Sequence, residues 1–289
     1  MTEPVPEPQA GPRDVGQAET VPLAPPGGDR TDAEPAEAAV AELPDALPPA
    51  TITVTAFTHT GLSRTVNQDS LGTLGWLART EHDRPVVLSA PLAGPAALVL
   101  VADGLGGHPA GEIASEVVVH ELLDAAVDWA EPDRVAEALI AASAGLFELM
   151  ESQPDVYGMA TTVAGIAVDH AGLTVFNVGD SRVYQVGADG LELLSEDDRP
   201  GEAALSVVTQ VLGGYSREPI VPHTARLAWH GGDRYLVCSD GLHNFVPAEE
   251  LAEACREPDD RQAVTELRRL AFAAGAPDNV TVALVRLES

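Results

Sequence analysis

Apolar residues recur along this chain in two spacings, one typical of β-strands and one typical of helices. Residues 51–58 alternate between apolar and polar side chains, which predicts a half-buried strand. Residues 97–102 form a continuous apolar run, which is typical of a strand covered on both faces. Helical spacing follows at 110–129 and 133–151, and Pro132 stands where a first helical turn begins.

The same spacing criteria assign the remaining strands and helices. Further strands are predicted at 70–77, 161–168, 173–178, 182–186, 220–228, 234–239 and 280–287. Further helices are predicted at 247–256 and 259–274, with a short amphipathic helix at 202–212. Several prolines and a glycine interrupt residues 78–96, which are therefore predicted to form a loop.

Strands come in runs and helices come in pairs, which differs from the strict strand–helix alternation of a parallel α/β sheet. The economical arrangement is an α+β fold, a four-layer αββα sandwich. Two antiparallel sheets would pack face to face, and a helix pair would cover each outer face. The folded domain is predicted to occupy residues 51–289.

Residues 1–50 have a different composition. They are rich in Pro, Ala and Glu and contain almost no aromatic or β-branched residues. Such a segment buries too little apolar surface to offset its chain entropy, so we expect a disordered acidic tail. A docking or tethering arm is the functional alternative for the same segment.

Charge narrows the range of partners. The chain carries 45 Asp and Glu against 16 Lys and Arg, all of them Arg, for a formal net charge of −29. This field disfavours nucleic acid and anionic membranes, and it suits either simple solubility or a site for divalent cations. No apolar stretch is long enough to span a membrane, and no secretory leader is evident. We expect a cytoplasmic protein, with its two cysteines reduced, and a monomer.

Acidic residues occupy turns next to several predicted strands. These turns are 67–69, 103–104, 179–180, 240–241 and 278–279. Asp is an ordinary turn residue, so any single turn carries little information. Carboxylates that converge from separate strands would repel one another unless they shared hard cations. Oxygen-only ligands suit Mg²⁺ or Mn²⁺ better than Zn²⁺.

These turns and their neighbours resemble a known family. The motifs, in chain order, are Arg64 with Asn67-Gln68-Asp69, Asp103-Gly104-Leu105-Gly106-Gly107-His108, Gly158-Met159-Ala160-Thr161-Thr162, Gly179-Asp180-Ser181-Arg182, Ser239-Asp240-Gly241 and Pro277-Asp278-Asn279. In this order they resemble the metal-dependent serine/threonine protein phosphatases of the 2C type, most closely the bacterial branch. The resemblance covers about residues 53–287 and implies the same αββα sandwich.

The resemblance also implies a role for each residue of a two-metal centre. Asp103 would bridge two Mn²⁺ or Mg²⁺ ions, and the Gly104 carbonyl would bind one of them. Asp240 and Asp278 would bind the other ion, and Arg64 would hold the phosphate through its planar fork. A water shared by the two ions would attack phosphorus, so no covalent intermediate is needed.

Other positions are implied with departures from the family pattern. Gln68 and Asp69 would orient metal-bound waters, although many relatives have Glu in place of Gln68. Asp180 would hold a weaker third ion, but Asn244 stands where relatives often have a second Asp, which puts that ion in doubt. Leu105 replaces a His proposed as the general acid in some eukaryotic relatives, so metal-bound water would donate the proton.

Two further features bear on the site. His108 is predicted to be a structural hydrogen-bonding residue rather than a replacement acid. Residues 195–214 are shorter than the helical flap that bacterial relatives usually carry beside the active site, so recruitment of substrate by a flap is in doubt.

The leading hypothesis is a metal-dependent phosphatase acting on phosphoserine and phosphothreonine in proteins, the products of a cognate serine/threonine kinase. The alternative is a pseudophosphatase that binds phosphoproteins without turnover, a reading motivated by Gln68, Asn244 and the short flap. A nucleotide hydrolase is disfavoured, because the chain has no Gly-rich phosphate loop with a lysine.

Overall fold

The computed structural model describes residues 50–78, 84–92, 94, 96–105, 110–201 and 207–289. The strands are, in chain order, β1 (Thr51–His59), β2 (Asp69–Thr73), β3 (Trp76–Ala78), β4 (Val86–Pro91), β5 (Ala97–Asp103), β6 (Ala160–Thr161), β7 (Val163–Asp169), β8 (Gly172–Val178), β9 (Arg182–Gly187), β10 (Gly190–Leu193), β11 (Leu212–Gly213), β12 (His223–Leu227), β13 (Arg234–Cys238) and β14 (Val280–Glu288). The α-helices are α1 (Gly111–Asp124), α2 (Pro132–Ser152), α3 (Asp240–His243), α4 (Ala248–Cys255) and α5 (Asp260–Ala273), and a 3₁₀ turn lies at Pro154–Val156.

These strands form two large antiparallel sheets. The first, sheet A, has the order β10-β9-β13-β14-β1-β4, and the second, sheet B, has the order β12-β8-β7-β5-β2-β3. A two-stranded ribbon pairs β11 with β6. The predicted α+β sandwich of two antiparallel sheets is therefore confirmed.

Alternate side chains of one strand point to opposite faces of sheet B, which explains why the sandwich has several layers. In β5, Leu98 and Leu100 pack with α1 and α2, whereas Val99 and Val101 pack between the two sheets. The continuous apolar run of this strand thus serves two cores, as expected for a strand covered on both faces.

The final strand repeats this arrangement on the other sheet. Val282 and Leu284 of β14 pack with α4 and α5, and Ala283 and Val285 face the core between the sheets. β14 pairs with β1 on one side and β13 on the other, so it is a central strand. Its start is therefore fixed by two neighbouring strands, which matters because Asp278 lies two residues before it.

The prediction of a loop at 78–96 is wrong for residues 86–91, whereas residues 79–83, 93 and 95 lie outside the described residues. Residues Val86–Pro91 form β4, which pairs antiparallel with β1 at the edge of sheet A. An edge strand tolerates proline because one side of it has no ladder to complete. Pro91 was therefore compatible with a strand that the sequence argument excluded.

The single strand predicted at 70–77 is also wrong, because this segment is a hairpin of β2 and β3. Leu74 and Gly75 both adopt positive φ, at 48° and 75°, which reverses the chain tightly. Leucine rarely takes this conformation, so the sequence carried only the glycine as a turn signal.

Smaller errors concern the ends of elements. The helix predicted at 110–129 ends at Asp124, because Ala125 is extended and Trp129 is buried separately against Phe176. Of the helix predicted at 202–212, residues 202–206 lie outside the described residues. Residues 207–211 are not helical, and Leu212–Gly213 form β11. The short strand β10 was not predicted, and the strand predicted at 161–168 is divided between β6 and β7.

The predicted tail at 1–50 lies outside the described residues, apart from Ala50. Within the part of the chain that the structure describes, no helix has the length and apolar character needed to cross a membrane.

Candidate metal centre

One cleft brings together the predicted functional residues. Its volume is about 300 Å³. The residues that line it are Arg64, Gln68, Asp103, Gly104, Leu105, Asp180, Val208, Asp240, Asn244, Phe245 and Asp278. Of the predicted site residues, Asp69 is the exception, because it is fully buried and does not line the cleft.

Sheet B supplies one wall of the cleft through neighbouring strands. Asp69 of β2 and Asp103 of β5 are directly opposed in the antiparallel register. The backbone N–H of Gly104 donates to the Gln68 carbonyl at 3.1 Å, which extends this pairing past the strand end. Thr162 fixes the other side of Asp103, because its N–H donates to the Asp103 carbonyl at 2.9 Å.

The Asp103–Gly104 turn needs its glycine for steric reasons. A Cβ on Gly104 would lie 2.1 Å from the Gly111 carbonyl oxygen at the start of α1. Any side chain at residue 104 would therefore push α1 away from the turn. The amide of Gln68 donates to Glu112 in the first turn of α1 at 3.2 Å. Because Gly104 lets α1 lie close to this turn, Glu112 can hold the Gln68 side chain beside the cleft.

Sheet A supplies the opposite wall. Asp240 follows β13 as the first residue of α3, and Asp278 comes two residues before β14. A Cβ on Gly241 would lie 1.8 Å from the Asn279 carbonyl oxygen, so the two segments touch through backbone. Glycine at residue 241 is what lets both carboxylates reach the same cleft.

A buried hydrogen-bond chain joins the two sheets behind the cleft. The Ser239 hydroxyl donates to Oδ2 of Asp69 at 2.8 Å. The backbone N–H of Thr281 donates to the same Ser239 oxygen at 3.0 Å. Asp69 belongs to sheet B and the other two residues flank or belong to strands of sheet A, so this chain of bonds fixes the distance between the walls.

The loop that carries Arg64 is held by the side chain of Asn279. Its Oδ1 accepts the backbone N–H of Gln68 at 2.8 Å. Its Nδ2 donates to the carbonyls of Thr60 at 2.8 Å and Val66 at 3.0 Å. One asparagine therefore ties residues 60–68 to the segment that contains Asp278.

Arg64 and Asp278 form an ion pair in this structure. Nη2 of Arg64 donates to Oδ2 of Asp278 at 2.8 Å, and the two side chains are 42% and 29% exposed. This hydrogen bond raises the pKa of Arg64 above its ordinary value. Exposed ion pairs of this kind contribute only about 0–1 kcal/mol to stability. Arg64 and Asp278 can therefore separate at little cost when either binds a stronger partner.

The buried carboxylates carry more negative charge than the site neutralises. Burial raises the pKa of Asp69 to about 7 and the pKa of Asp240 to about 6, and repulsion between the carboxylates adds to both. Burial, together with repulsion from Asp69 and Asp240, raises the pKa of Asp103 well above its ordinary value. Carboxylates with raised pKa values bind protons or other cations to relieve this repulsion.

The donor set fits hard divalent cations. It consists of oxygen atoms alone, which Mg²⁺ and Mn²⁺ prefer. Oδ1 of Asp69 is buried with no hydrogen-bond partner, which is costly unless another polar group approaches it. In the described ranges, no three His, Cys, Asp or Glu side chains are positioned closely enough to hold a metal ion together. The carboxylates accept hydrogen bonds from protein side chains instead. Arg64 donates to Asp278, and Nδ2 of Asn244 donates to Oδ2 of Asp240 at 2.9 Å.

Three residues that organise the cleft were not predicted as functional residues. Ser239 and Asn279 sit beside predicted ligands and were named only as parts of their motifs. Arg199 belongs to the compressed segment after β10, and it contacts Asp180. The sequence offered one signal for Arg199. It follows two aspartates and precedes a Pro-Gly pair, in a chain that has few cations. His108 lies outside the described residues.

Comparison with known proteins gives the class. Residues 88–271 match the family described as Protein phosphatase 2C. The serine/threonine phosphatase stp of Listeria innocua is 30% identical over 218 residues, a match that covers 65% of this chain and 83% of that protein. The chain therefore belongs to the protein phosphatase 2C family.

Relatives from another genus agree with this assignment. The serine/threonine protein phosphatase PstP of Mycobacterium tuberculosis is 35% identical over 206 residues, which covers 65% of this chain and only 40% of the length of PstP. A crystal structure of this phosphatase matches with a TM-score of 0.67 at 30% identity, over 83% of this chain and 100% of that one. The PstP catalytic domain in complex with two manganese ions matches with a TM-score of 0.66, at the same identity and coverage.

Proposed function

We propose that this protein is a metal-dependent phosphatase that hydrolyses phosphoserine and phosphothreonine in proteins. The observation that carries the proposal is the convergence of Asp103, Asp240 and Asp278 from two sheets on one cleft that also contains Arg64. The family relationship supports it, because the relatives reported above bear the names of serine/threonine phosphatases. None of those names favours the binding-only alternative.

Two divalent ions are part of this proposal, Mn²⁺ in the first instance because the PstP catalytic domain is described with two manganese ions. Asp103 and the Gly104 carbonyl would hold one ion, with Asp103 shared between both, and Asp240 and Asp278 would hold the other. When bound, such ions polarise a phosphoryl group and lower the pKa of water towards neutrality. Gln68 and Asp69 would orient water beside them.

The chain's own residues would then bind and position the phosphate. Arg64 would leave Asp278 and hold two phosphate oxygens, since a guanidinium binds phosphate in a bidentate manner. Leu105 lines the cleft but has no proton to give, so the leaving group must take its proton from water. Val208 and Phe245 also line the cleft and would exclude bulk solvent around the phosphorylated residue.

The direct test measures phosphate release from a phosphothreonine peptide by purified protein, first with Mn²⁺ and then with EDTA. We expect hydrolysis only with the metal, and its loss in Asp240→Asn and Asp278→Asn. Glu266→Gln is the matched control, because it removes an exposed carboxylate on α5 that pairs with Arg269. Turnover that persists in EDTA, or in both aspartate variants, would contradict the proposal.

Arg64→Ala separates phosphate binding from metal binding. We expect a higher KM for the phosphopeptide while Mn²⁺ still binds, because the lost guanidinium contacts phosphate rather than the ions. Arg64→Lys keeps the charge but loses the fork, so it should recover only part of the lost affinity. An unchanged KM in Arg64→Ala would remove the phosphate-binding role.

The remaining parts of the proposal concern context. The substrates would be products of a cognate serine/threonine kinase, and the protein would act as a monomer in the cytoplasm. Cys238 and Cys255 are both buried and unpaired, which suits a reducing compartment.

A further inference from the structure

Asp180 already has a cation as its partner. Nε of Arg199 donates to Oδ2 of Asp180 at 2.7 Å, and Nη2 of Arg199 donates to the same oxygen at 2.5 Å. The two side chains are only 5% and 3% exposed. Asp180 thus lines the cleft with its charge already paired to an arginine, and both side chains are almost fully buried.

The same guanidinium reaches the residue that departs from the family pattern. Nη1 of Arg199 donates to Oδ1 of Asn244 at 3.0 Å. The amide nitrogen of Asn244 then donates to Oδ2 of Asp240 at 2.9 Å. An aspartate at residue 244 could not donate this second bond, so arginine and asparagine suit each other here.

Arg199 is held in place by the residue before it. The backbone N–H of Asp198 donates to the Gly179 carbonyl at 3.0 Å, and the Gly179 N–H donates to Oδ2 of Asp198 at 2.8 Å. His223 and Gln210 also contact the Asp198 carboxylate, each at 3.0 Å. The segment that carries Arg199 is therefore fixed to the turn that carries Asp180.

We propose that the guanidinium of Arg199 is a built-in cation that replaces the third metal ion at Asp180. This inference rests on the proposed function, because it assumes that the other carboxylates hold two ions. The residues at Asp180 do not fit a further ion. A divalent ion would have to displace a buried arginine, and Asn244 offers it a neutral amide instead of a carboxylate. A second arginine, Arg182, lies nearby and pairs with Asp197 at 2.6 Å.

The test counts bound Mn²⁺ ions per chain by native mass spectrometry and isothermal titration calorimetry. We expect two ions in the wild-type protein and still two in Asp180→Asn. We expect two in Asn244→Asp as well, because Arg199 would then pair with both carboxylates. The double variant Arg199→Ala/Asn244→Asp should bind three, since it opens the position and supplies a second carboxylate.

Arg182→Gln is the matched control, because it removes a neighbouring arginine that pairs with Asp197 rather than Asp180, and it should still bind two ions. If the double variant fails to fold, the comparison of wild type with Asp180→Asn decides the matter alone. Three ions in the wild type, with one lost in Asp180→Asn, would overturn the proposal. No bound ion in the wild type would instead contradict the proposed two-metal function, so the two failures are distinguishable.

Discussion

Two acidic clusters lie at or beside the cleft, and they differ in how their charge is balanced. In the first, Asp69, Asp103 and Asp240 are forced together with raised pKa values. In the second, burial also raises the pKa of Asp180, but Asp180 and Asp197 each pair with an arginine at 2.5–2.6 Å. Arginines of the protein balance the charge of the second cluster, and the proposed divalent ions would do so in the first. Proximity of carboxylates alone therefore does not identify a metal site, because the charge balance of each cluster must also be examined.

The largest expected effect comes from the first cluster. Asp103→Asn should lower Mn²⁺-dependent phosphopeptide hydrolysis by about 10³-fold, a loss typical of removing one electrostatic contribution to a transition state. The same change should raise the melting temperature in EDTA, because it removes a buried, repelled acid. Glu253→Gln, an exposed change on α4, should alter neither measurement. A drop in the melting temperature of Asp103→Asn would contradict the contrast between the clusters.

The second cluster should respond in the opposite direction. Arg199→Gln should lower the free energy of unfolding in EDTA by about 3–5 kcal/mol, because it leaves Asp180 buried without its partner. Urea denaturation measures this loss. Arg269→Gln breaks an exposed pair on α5 and should cost less than about 1 kcal/mol. Equal costs for the two arginines would mean that burial of the Asp180 pair adds nothing.

Adding metal should stabilise the protein through the first cluster only. At a Mn²⁺ concentration about 100-fold above the dissociation constant, the folded state gains about 2.7 kcal/mol per site. This gain should fall by the contribution of one site in Asp240→Asn and persist unchanged in Asp180→Asn, as measured by thermal unfolding with and without Mn²⁺. A gain that vanishes in Asp180→Asn would place an ion in the second cluster.

The smallest expected effect concerns Gln68. Gln68→Glu adds a carboxylate next to the first cluster and should increase Mn²⁺ affinity by about 10-fold, within the range seen for residues that contact metal ligands or their waters. It should also lower stability in EDTA, because the new charge faces Glu112, the present partner of the amide. Calorimetry and melting curves test the two halves. Unchanged Mn²⁺ affinity would leave Gln68 a purely structural role.

Much of this architecture follows from local sequence patterns. The run before Asp103 predicts a strand covered on both faces, and its alternate residues do enter two different cores. The hairpin at Leu74–Gly75 and the edge strand β4 were mispredicted, because a positive φ at leucine and a proline at a sheet edge both depend on context.

The site, too, was predicted only in part. The resemblance carried by the order of the turn motifs implied that Asp103, Asp240 and Asp278 would share one site, and all three line one cleft. The resemblance could not show that Arg64 pairs with Asp278 or that Arg199 pairs with Asp180, because each contact depends on how loops distant in sequence pack. The roles of these residues remain predictions that the variants above test.

The hydrogen bonds that join the two sheets also have a consequence for folding. Ser239 and Asp69 are 170 residues apart in sequence, and Arg64 and Asp278 are 214 apart. Contacts of such long sequence separation form slowly, because a large chain entropy is lost before they contribute. Since Asp278 adjoins the last strand, the cleft cannot be complete until nearly the whole domain has left the ribosome. A growing chain would therefore remain without this centre until β14 has been synthesised and released.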